Sequence, residues 1–273
     1  MEISTNNICY RNLQNIKVKF KEGLINGILG NSCSGKSSLA DIISTYSMPS
    51  KGHLEIDSIM IDNDNPMINY AMIRFEIGYV PQNPFNMMFC DTVKEQFMFH
   101  LNQYNYKNND KHILDSLKMV SLSDSYLNRK INTLSDGELF KLSLAITLSL
   151  NPKVIILDEP FTYLDNNSKK SIVKLLRVLK NRFHKTIIIL SNNVDNIYEL
   201  CDYIYILSNN KILIEGTKYD IFKHKSKLIK NNINLPKIIE FEQLVEEKKN
   251  IKMGYRDNIN DLLKDIYFYC QKF

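Results

Sequence analysis

The stretch Gly27-Ile-Leu-Gly-Asn-Ser-Cys-Ser-Gly-Lys-Ser-Ser38 follows a short apolar run and precedes a pattern typical of a helix. Gly30 and Gly35 let successive backbone N–H groups point into one concave loop, and the helix start adds partial positive charge. This spacing and context favour a polyphosphate cradle over an ordinary glycine turn, with the Lys36 ammonium reaching the outer phosphates. The candidate nucleotide-binding residues are Gly30, Asn31, Ser32, Cys33, Ser34, Gly35, Lys36, Ser37 and Ser38. The Ser37 hydroxyl would also ligate Mg²⁺.

The composition is that of an ordinary globular chain. Its 273 residues can bury one large core, and the net charge of +5 is mild and spread along the chain, so nucleic acid is not expected as a partner. The five cysteines are scattered without metal-ligand spacing, which indicates a reducing compartment. The N-terminus does not resemble a signal peptide, and no apolar run approaches the ~18 residues of a membrane span. Any membrane role is therefore expected to come through a partner.

Apolar strands alternate with helical patterns along much of the chain. Runs at 77–80, 154–157 and 186–190 predict buried parallel strands covered by helices on both faces. Residues 53–61 predict one further strand, and residues 84–150 predict a helical insertion. A hairpin is expected at 203–214, and a Lys/Asn-rich helical tail is expected after about residue 225. The predicted apolar stripe of that tail is Ile259, Leu262, Leu263 and Ile266.

Two carboxylates follow the apolar strand at 154–157. Asp158 at the strand end can hold Mg²⁺, usually through water, and Glu159 can polarise an attacking water molecule. An acidic strand end alone is most often just solvated. Together with the loop at 30–37, it indicates a nucleoside triphosphatase.

A third motif indicates which family of nucleoside triphosphatases the chain resembles. Thr133-Leu-Ser-Asp-Gly-Glu138, before a Leu/Ala-rich helix, resembles the signature motif of ATP-binding-cassette (ABC) ATPases, and the other motifs stand in the family's order over roughly residues 3–225. The resemblance implies ATP and Mg²⁺ as cofactors and an α/β P-loop NTPase fold. That fold has a mixed parallel sheet flanked by helices, an N-terminal antiparallel β subdomain, a helical subdomain and a C-terminal helical extension.

The resemblance also gives roles to further residues. Tyr10 could stack on adenine, Gln82 matches the Q-loop glutamine that serves the metal and the attacking water, and Asp165 matches the D-loop. In the family, two cassettes sandwich two ATP molecules. Ser135 and the amide of Gly137 would then contact the γ-phosphate across the interface with a second ATPase subunit.

Two departures from the family pattern affect function. Asp136 stands where the family usually has glycine; we expect it to cap the following helix and point away from phosphate. Asn192 stands where the family has a switch histidine, and a neutral amide donor is weaker than a charged one. This predicts a site that binds ATP well and hydrolyses it slowly beside a competent, non-identical partner site. The alternative is that Asn192 serves adequately in an ordinary enzyme.

The segment after Gln82 indicates the subtype. Residues 82–99, with Asn83-Pro84 and Thr92-Val-Lys-Glu95, resemble the ATPases of energy-coupling factor and cobalt-type importers. In that family this segment helps to dock a transmembrane coupling subunit, while a separate membrane subunit captures a vitamin or metal ion. The resemblance implies a nucleotide-binding domain at 1–225, with its helical subdomain at about 84–150, and a 226–273 extension between the ATPases. It also implies a peripheral location on the cytoplasmic face of the cell membrane.

Three alternatives stay open from the sequence. The chain could be a degenerate, essentially non-hydrolysing ATP-binding partner in a heterodimer, which Asn192 and Asp136 favour and Glu159 opposes. It could also be the ATPase of a generic ABC importer or exporter. A soluble cassette acting on ribosomes or DNA usually has two cassettes in one chain or a long coiled-coil insertion, and neither pattern is seen here.

Overall fold

The computed structural model describes residues 1–63, 70–106 and 110–249, together with Leu263, Lys264 and Tyr267. The strands of these residues are β1 Ile3–Tyr10, β2 Leu13–Lys19, β3 Ile25–Leu29, β4 Lys51–Ile56, β5 Ile59–Ile61, β6 Ile77–Val80, β7 Val154–Asp158, β8 Thr186–Ser191, β9 Tyr203–Ser208 and β10 Lys211–Thr217. Their α-helices are α1 Lys36–Ile43, α2 Tyr70–Glu76, α3 Val93–Gln103, α4 Asp110–Met119, α5 Asp136–Ser149, α6 Asn166–Phe183, α7 Val194–Leu200, α8 Lys218–Lys223, α9 Lys225–Lys230 and α10 Lys237–Lys249.

The larger sheet has the strand order β10-β9-β3-β8-β7-β6. All its pairings are parallel except the antiparallel hairpin of β9 and β10 at one edge. Successive residues of β8 enter different cores, since Ile187 and Ile189 join one cluster while Ile188 and Leu190 join the other. The apolar strands are therefore buried on both faces, as the α/β prediction requires. The predicted fold class is confirmed.

The carboxyl ends of β3, β7 and β8 meet at one edge of this sheet. Leu29 pairs with Ser191, and Asp158 pairs with Leu190. The loop after β3, the carboxylates after β7 and the residues after β8 are therefore neighbours, although they are far apart in the sequence. Ligand sites of open α/β sheets form at this end of the strands.

The smaller sheet is antiparallel, with the order β2-β1-β4-β5. Its apolar face shares a core with α1 and with one face of the larger sheet. The prediction of one strand at 53–61 is wrong in one respect. Asp57 adopts a φ of 51°, and a turn there folds β5 back antiparallel onto β4, pairing Leu54 with Ile61.

The helical part between β6 and β7 contains α3, α4 and α5, which bury Phe97, Leu117 and Leu142 completely. After β10 the chain forms three helices, up to the end of α10. Of the predicted tail stripe, Leu263 is described and is 49% exposed. The other three positions, Ile259, Leu262 and Ile266, lie outside the described residues. In the part of the chain that the structure describes, no helix has the length and apolar character needed to cross a bilayer.

Candidate active site

The loop between β3 and α1 requires glycine at two positions. Gly35 has a φ of 101°, a left-handed conformation that side chains rarely adopt, and it directly precedes α1. A Cβ atom on Gly30 would lie 2.5 Å from the Leu207 carbonyl oxygen and 2.6 Å from Ser34 Oγ. The two glycines therefore let the loop wrap tightly over the start of the helix.

Lys36 is folded back into this loop. Its Nζ donates to the carbonyl oxygens of Gly30 at 2.8 Å and Asn31 at 3.0 Å. Burial lowers the pKa of Lys36, and the nearby carboxylates of Glu159 and Asp158 oppose that shift. The ammonium thus lies at the centre of the loop, 3.8 Å from Glu159 Oε1, where a bound anion would be strongly stabilised.

Ser37 and Asp158 form a pair suited to a hard cation. Ser37 Oγ donates to Asp158 Oδ2 at 2.7 Å, while Asp158 Oδ1 is buried without a hydrogen-bond partner. Burial raises the pKa of Asp158, which the Ser37 hydrogen bond partly counters. An unpartnered buried carboxylate oxygen beside a hydroxyl matches the oxygen ligands that Mg²⁺ prefers, so the residues present fit that ion.

Glu159 is held in a strained position. Its φ is 47°, and its carboxylate is fixed by Ser191 Oγ, which donates to Oε2 at 2.8 Å, and by the Asn192 backbone N–H, which donates to Oε1 at 2.7 Å. The Asn193 N–H in turn donates to Ser191 Oγ at 3.1 Å. Such left-handed residues cost roughly 1–3 kcal/mol and cluster at functional sites. Ser191 was not among the predicted site residues, although it is a polar residue at the end of a wholly buried strand.

A cavity of about 690 Å³ connects this edge to the helical part. Ser37, Asp158 and Gln82 line it together, as do the apolar side chains of Phe89 and Phe99. The predicted metal residues are therefore brought together around one space. Tyr10 lies at the end of β1, where its hydroxyl donates to Ser47 Oγ at 2.9 Å and the Arg11 guanidinium lies 4.9 Å from its ring centre.

The predicted signature residues lie at the start of α5, which packs on α3, α4 and β6. The cap of α5 is Ser135, whose Oγ accepts from the Glu138 N–H, and Asp136 is the first helical residue. The expectation that Asp136 caps the helix is therefore wrong, because Ser135 and Glu138 form a reciprocal capping box. A Cβ atom on Gly137 would lie 2.9 Å from the Tyr163 carbonyl oxygen, so glycine permits the close contact between the first turn of α5 and the segment that contains Tyr163.

Asp165 has a local structural contact. Its Oδ1 accepts from the backbone N–H groups of Asn167 and Ser168, and its Oδ2 accepts from Ser168 Oγ. These bonds lower the pKa of Asp165 and make it the cap of α6. Asp165 therefore fixes the loop containing Tyr163, which contacts Gly137.

Comparison with known proteins identifies the family. Residues 13–162, more than half of the chain, match the protein family described as ABC transporter. The chain belongs to this family. This ABC ATPase is 32% identical over 98% of its length to the energy-coupling factor transporter ATP-binding protein EcfA1 of Mesomycoplasma hyopneumoniae, covering 95% of that protein. It is 27% identical to the corresponding EcfA2 of Staphylococcus epidermidis, over 88% of this chain and 84% of that protein.

Two solved structures resemble this ABC ATPase in fold. One is cbiO1 of Clostridium perfringens, described as part of the ABC transporter complex cbiONQ, with a TM-score of 0.70 and 26% identity. The match covers 88% of this chain and 98% of cbiO1. The other is a dimeric cassette in a post-hydrolysis state with ADP and Pi, with a TM-score of 0.72 and 28% identity, covering 79% of this chain and 98% of that one. The predicted membership of the ABC ATPase family and the resemblance to ATPases of energy-coupling factor transporters are confirmed.

Proposed function

We propose that the chain binds and hydrolyses ATP as one ATPase subunit of an energy-coupling factor importer for a vitamin or metal ion. The observation that carries this proposal is the convergence of Lys36, Ser37, Asp158 and Glu159 at the carboxyl edge of the sheet. ATP binding and ATPase activity are expected for the family. The energy-coupling factor type rests on the named relatives, while import of a vitamin or metal ion rests on the sequence resemblance alone.

The site geometry supports the chemistry of this proposal. Phosphate oxygens replace the loop carbonyls as partners of the Lys36 ammonium, and the loop N–H groups and Ser38 complete the cradle. Ser37, Asp158 and Gln82 would hold Mg²⁺, which supplies charge neutralisation at the phosphates. Glu159 orients the attacking water and accepts its proton.

The remaining site residues are proposed to contact the adenine, the γ-phosphate or the nucleotide held by a second subunit. Tyr10 is proposed to stack on adenine, while Asn192 contributes a neutral hydrogen bond near the γ-phosphate. Ser135 and the Gly137 amide are proposed to contact the nucleotide held by a second, non-identical ATPase subunit, and Asp165 orders the loop between the sites. Closure of the two cassettes around ATP then drives a movement of the docked membrane partner.

The docking site for that membrane partner is proposed at residues 82–99. Phe89 is 71% exposed and Phe99 is 41% exposed, and their ring centres lie 5.7 Å apart. The buried Gln96 amide holds this loop onto α3, since its Oε1 accepts from the Phe89 N–H at 2.8 Å and its Nε2 donates to the Met87 carbonyl oxygen at 3.0 Å. A preformed apolar surface next to Gln82 is suited to an amphipathic helix.

The C-terminal extension is proposed to join the two ATPase subunits. Phe241 is 38% exposed and Leu244 is 51% exposed on α10. These apolar side chains would become buried against the second ATPase. We place the nucleotide-binding domain at 1–225, with its helical subdomain at about 84–150, and the extension at 226–273. The assembled subunit would lie peripherally on the cytoplasmic face of the cell membrane.

Co-purification from detergent-solubilised membranes tests this proposal. The tagged chain is expected to retain a second ATPase and membrane proteins, identified by mass. Phe89→Asp should release the membrane proteins while ATP binding persists. Phe183→Asp is the matched control, because Phe183 is 59% exposed at the end of α6, outside the proposed docking surface. Recovery of the chain without any membrane protein would contradict the proposal.

The second candidate is a non-hydrolysing ATP-binding partner subunit, which the asparagine at position 192 favours. Single-turnover hydrolysis in the assembled complex separates the two candidates. Cleavage of ATP that depends on Glu159 supports the enzyme. Tight ATP binding without any cleavage at this site supports the regulatory subunit.

A further inference from the structure

Glu138, the last residue of the signature-like motif, is the centre of a charged network around Ser135. Its Oε2 accepts from the Ser135 backbone N–H at 2.8 Å and from Ser135 Oγ at 3.0 Å. Its Oε1 accepts from the Tyr126 hydroxyl and from Arg129 Nη1 at 3.1 Å. The Tyr126 hydrogen bond, followed by the Ser135 backbone bond, lowers the pKa of Glu138 to about 2. The side chain is therefore a fully ionised, firmly held carboxylate at neutral pH.

Arg129 connects this carboxylate to two neighbouring segments. Its Nη2 donates to the Thr133 carbonyl oxygen at 3.1 Å, and its guanidinium carbon lies 4.6 Å from the Tyr126 ring centre. Its own carbonyl oxygen accepts from the Val93 N–H at 3.1 Å, which anchors it to the start of α3. A planar guanidinium can make these contacts at once, whereas a lysine ammonium cannot reproduce them.

The Ser135 hydroxyl has a single proton, which it uses in the hydrogen bond that it donates to Glu138 Oε2. To donate to a nucleotide phosphate, that hydroxyl must turn away from Glu138. The carboxylate would then lie close to a phosphate and repel it, unless other groups hold it back and balance its charge. Arg129 supplies the balancing charge, and the Tyr126 hydroxyl supplies the second bond that keeps Oε1 in place.

We propose that Tyr126 and Arg129 are positioning residues for hydrolysis of the ATP bound to the partner ATPase, acting through Glu138 on the Ser135 hydroxyl. This inference rests on the proposed function, in which Ser135 serves the partner's nucleotide. It assigns the two side chains an effect in trans: they lie in this chain, and the reaction they support occurs on the other subunit's phosphate loop.

The test uses the co-purified pair of ATPase subunits. In one pair, Lys36→Ala silences this chain's phosphate loop, so the remaining turnover belongs to the partner's site. In the other pair, the partner's phosphate-loop lysine is replaced by alanine, so the remaining turnover belongs to this chain's site. Each pair is prepared with Arg129→Ala, Arg129→Lys or Tyr126→Phe. Arg177→Ala is the matched control, since Arg177 lies on α6 and donates to the Glu199 carbonyl oxygen.

Arg129→Ala is expected to lower kcat at the partner's site by roughly tenfold or more, the loss of about one charge-assisted hydrogen bond. The Arg129→Lys and Tyr126→Phe variants keep most of the side-chain bulk, and they should show a smaller loss at the same site. This chain's own site should keep its kcat within about twofold, and Arg177→Ala should change neither site.

An equal loss at both sites, which a general loss of stability would produce, or no loss at either site would overturn the inference. Should Arg129→Ala fail to fold, the comparison of Tyr126→Phe between the two pairs decides the question. If the unsubstituted pair hydrolyses no ATP, the proposed function fails as well. If the pair hydrolyses ATP but the substitutions do not affect the partner's site more than this chain's site, only the positioning role is refuted and the proposed function stands.

Discussion

Replacing Asn192 by histidine should accelerate hydrolysis at this chain's own site. The Asn192 backbone N–H donates to Glu159 Oε1 at 2.7 Å, so its side chain starts one residue from the end of β8, directly beside the proposed catalytic carboxylate. The substitution leaves that backbone bond intact. It replaces an exposed neutral amide by a ring that can donate a charge-assisted hydrogen bond to the γ-phosphate.

The expected gain follows from the two kinds of hydrogen bond. Charge-assisted bonds contribute ~1.5–3 kcal/mol and neutral ones ~0.5–1.5 kcal/mol, which leaves a difference of ~1–2 kcal/mol in the transition state. That difference corresponds to a rise in kcat of roughly five- to thirtyfold. The affinity for ATP should change much less, because the phosphate loop and Lys36 are untouched.

The assay is steady-state hydrolysis by the ATPase pair in which the partner's phosphate-loop lysine is alanine. Asn181→His is the matched control, because Asn181 is exposed on α6, outside the candidate site. A kcat of Asn192→His within about twofold of the unsubstituted chain would refute the reasoning. Asn192 would then be an adequate switch residue.

Three further predictions concern other parts of the chain. Burial lowers the pKa of His100 from 6.5 to about 4, so between these values the unfolded chain binds a proton that the folded chain does not, and acid favours unfolding. The free energy of unfolding, measured by urea titration, should be roughly 1–2 kcal/mol lower at pH 5 than at pH 7, and His100→Gln should reduce that difference. Cys33 is exposed in the phosphate loop, so MgATP should slow its alkylation, measured by mass; equal labelling with and without MgATP would contradict this. Gly137→Ala should cost ~1–3 kcal/mol in denaturant titrations, since the added methyl meets the Tyr163 carbonyl oxygen; unchanged stability would contradict that close contact.

The sequence alone could predict features that depend on the spacing of residues within one short segment. The loop at 30–37 has a fixed spacing between a strand and a helix, and Asp158 ends an apolar run, so both could be located without coordinates. Parallel strands then place their carboxyl ends at one edge, which brings these groups together. For the same reason the α/β fold class could be predicted from alternating strands and helices.

Features that depend on competition between neighbours could not be predicted. Ser135 and Asp136 are both good helix caps, and only the reciprocal bonds with Glu138 decide between them. The turn at Asp57 and Ser58 separates two short strands, and the positive φ of Asp57 that reverses the chain there is not visible in the sequence pattern. The bonds from Ser191 to Glu159 and from Arg129 to Glu138 join separate segments, and no sequence spacing reports such pairings.

The affinity of the purified chain for ATP, measured by calorimetric titration with Mg²⁺ and compared with Lys36→Ala, tests the central claim most directly. Lys36 is 7% exposed within the loop, and its carbonyl partners are the groups that phosphate oxygens would replace. Loss of the ammonium should weaken binding by roughly ten- to a hundredfold, the value of one charge-assisted contact of ~1.5–3 kcal/mol. An unchanged dissociation constant, or no binding by the unsubstituted chain, would contradict the assignment of residues 30–37 as the nucleotide cradle.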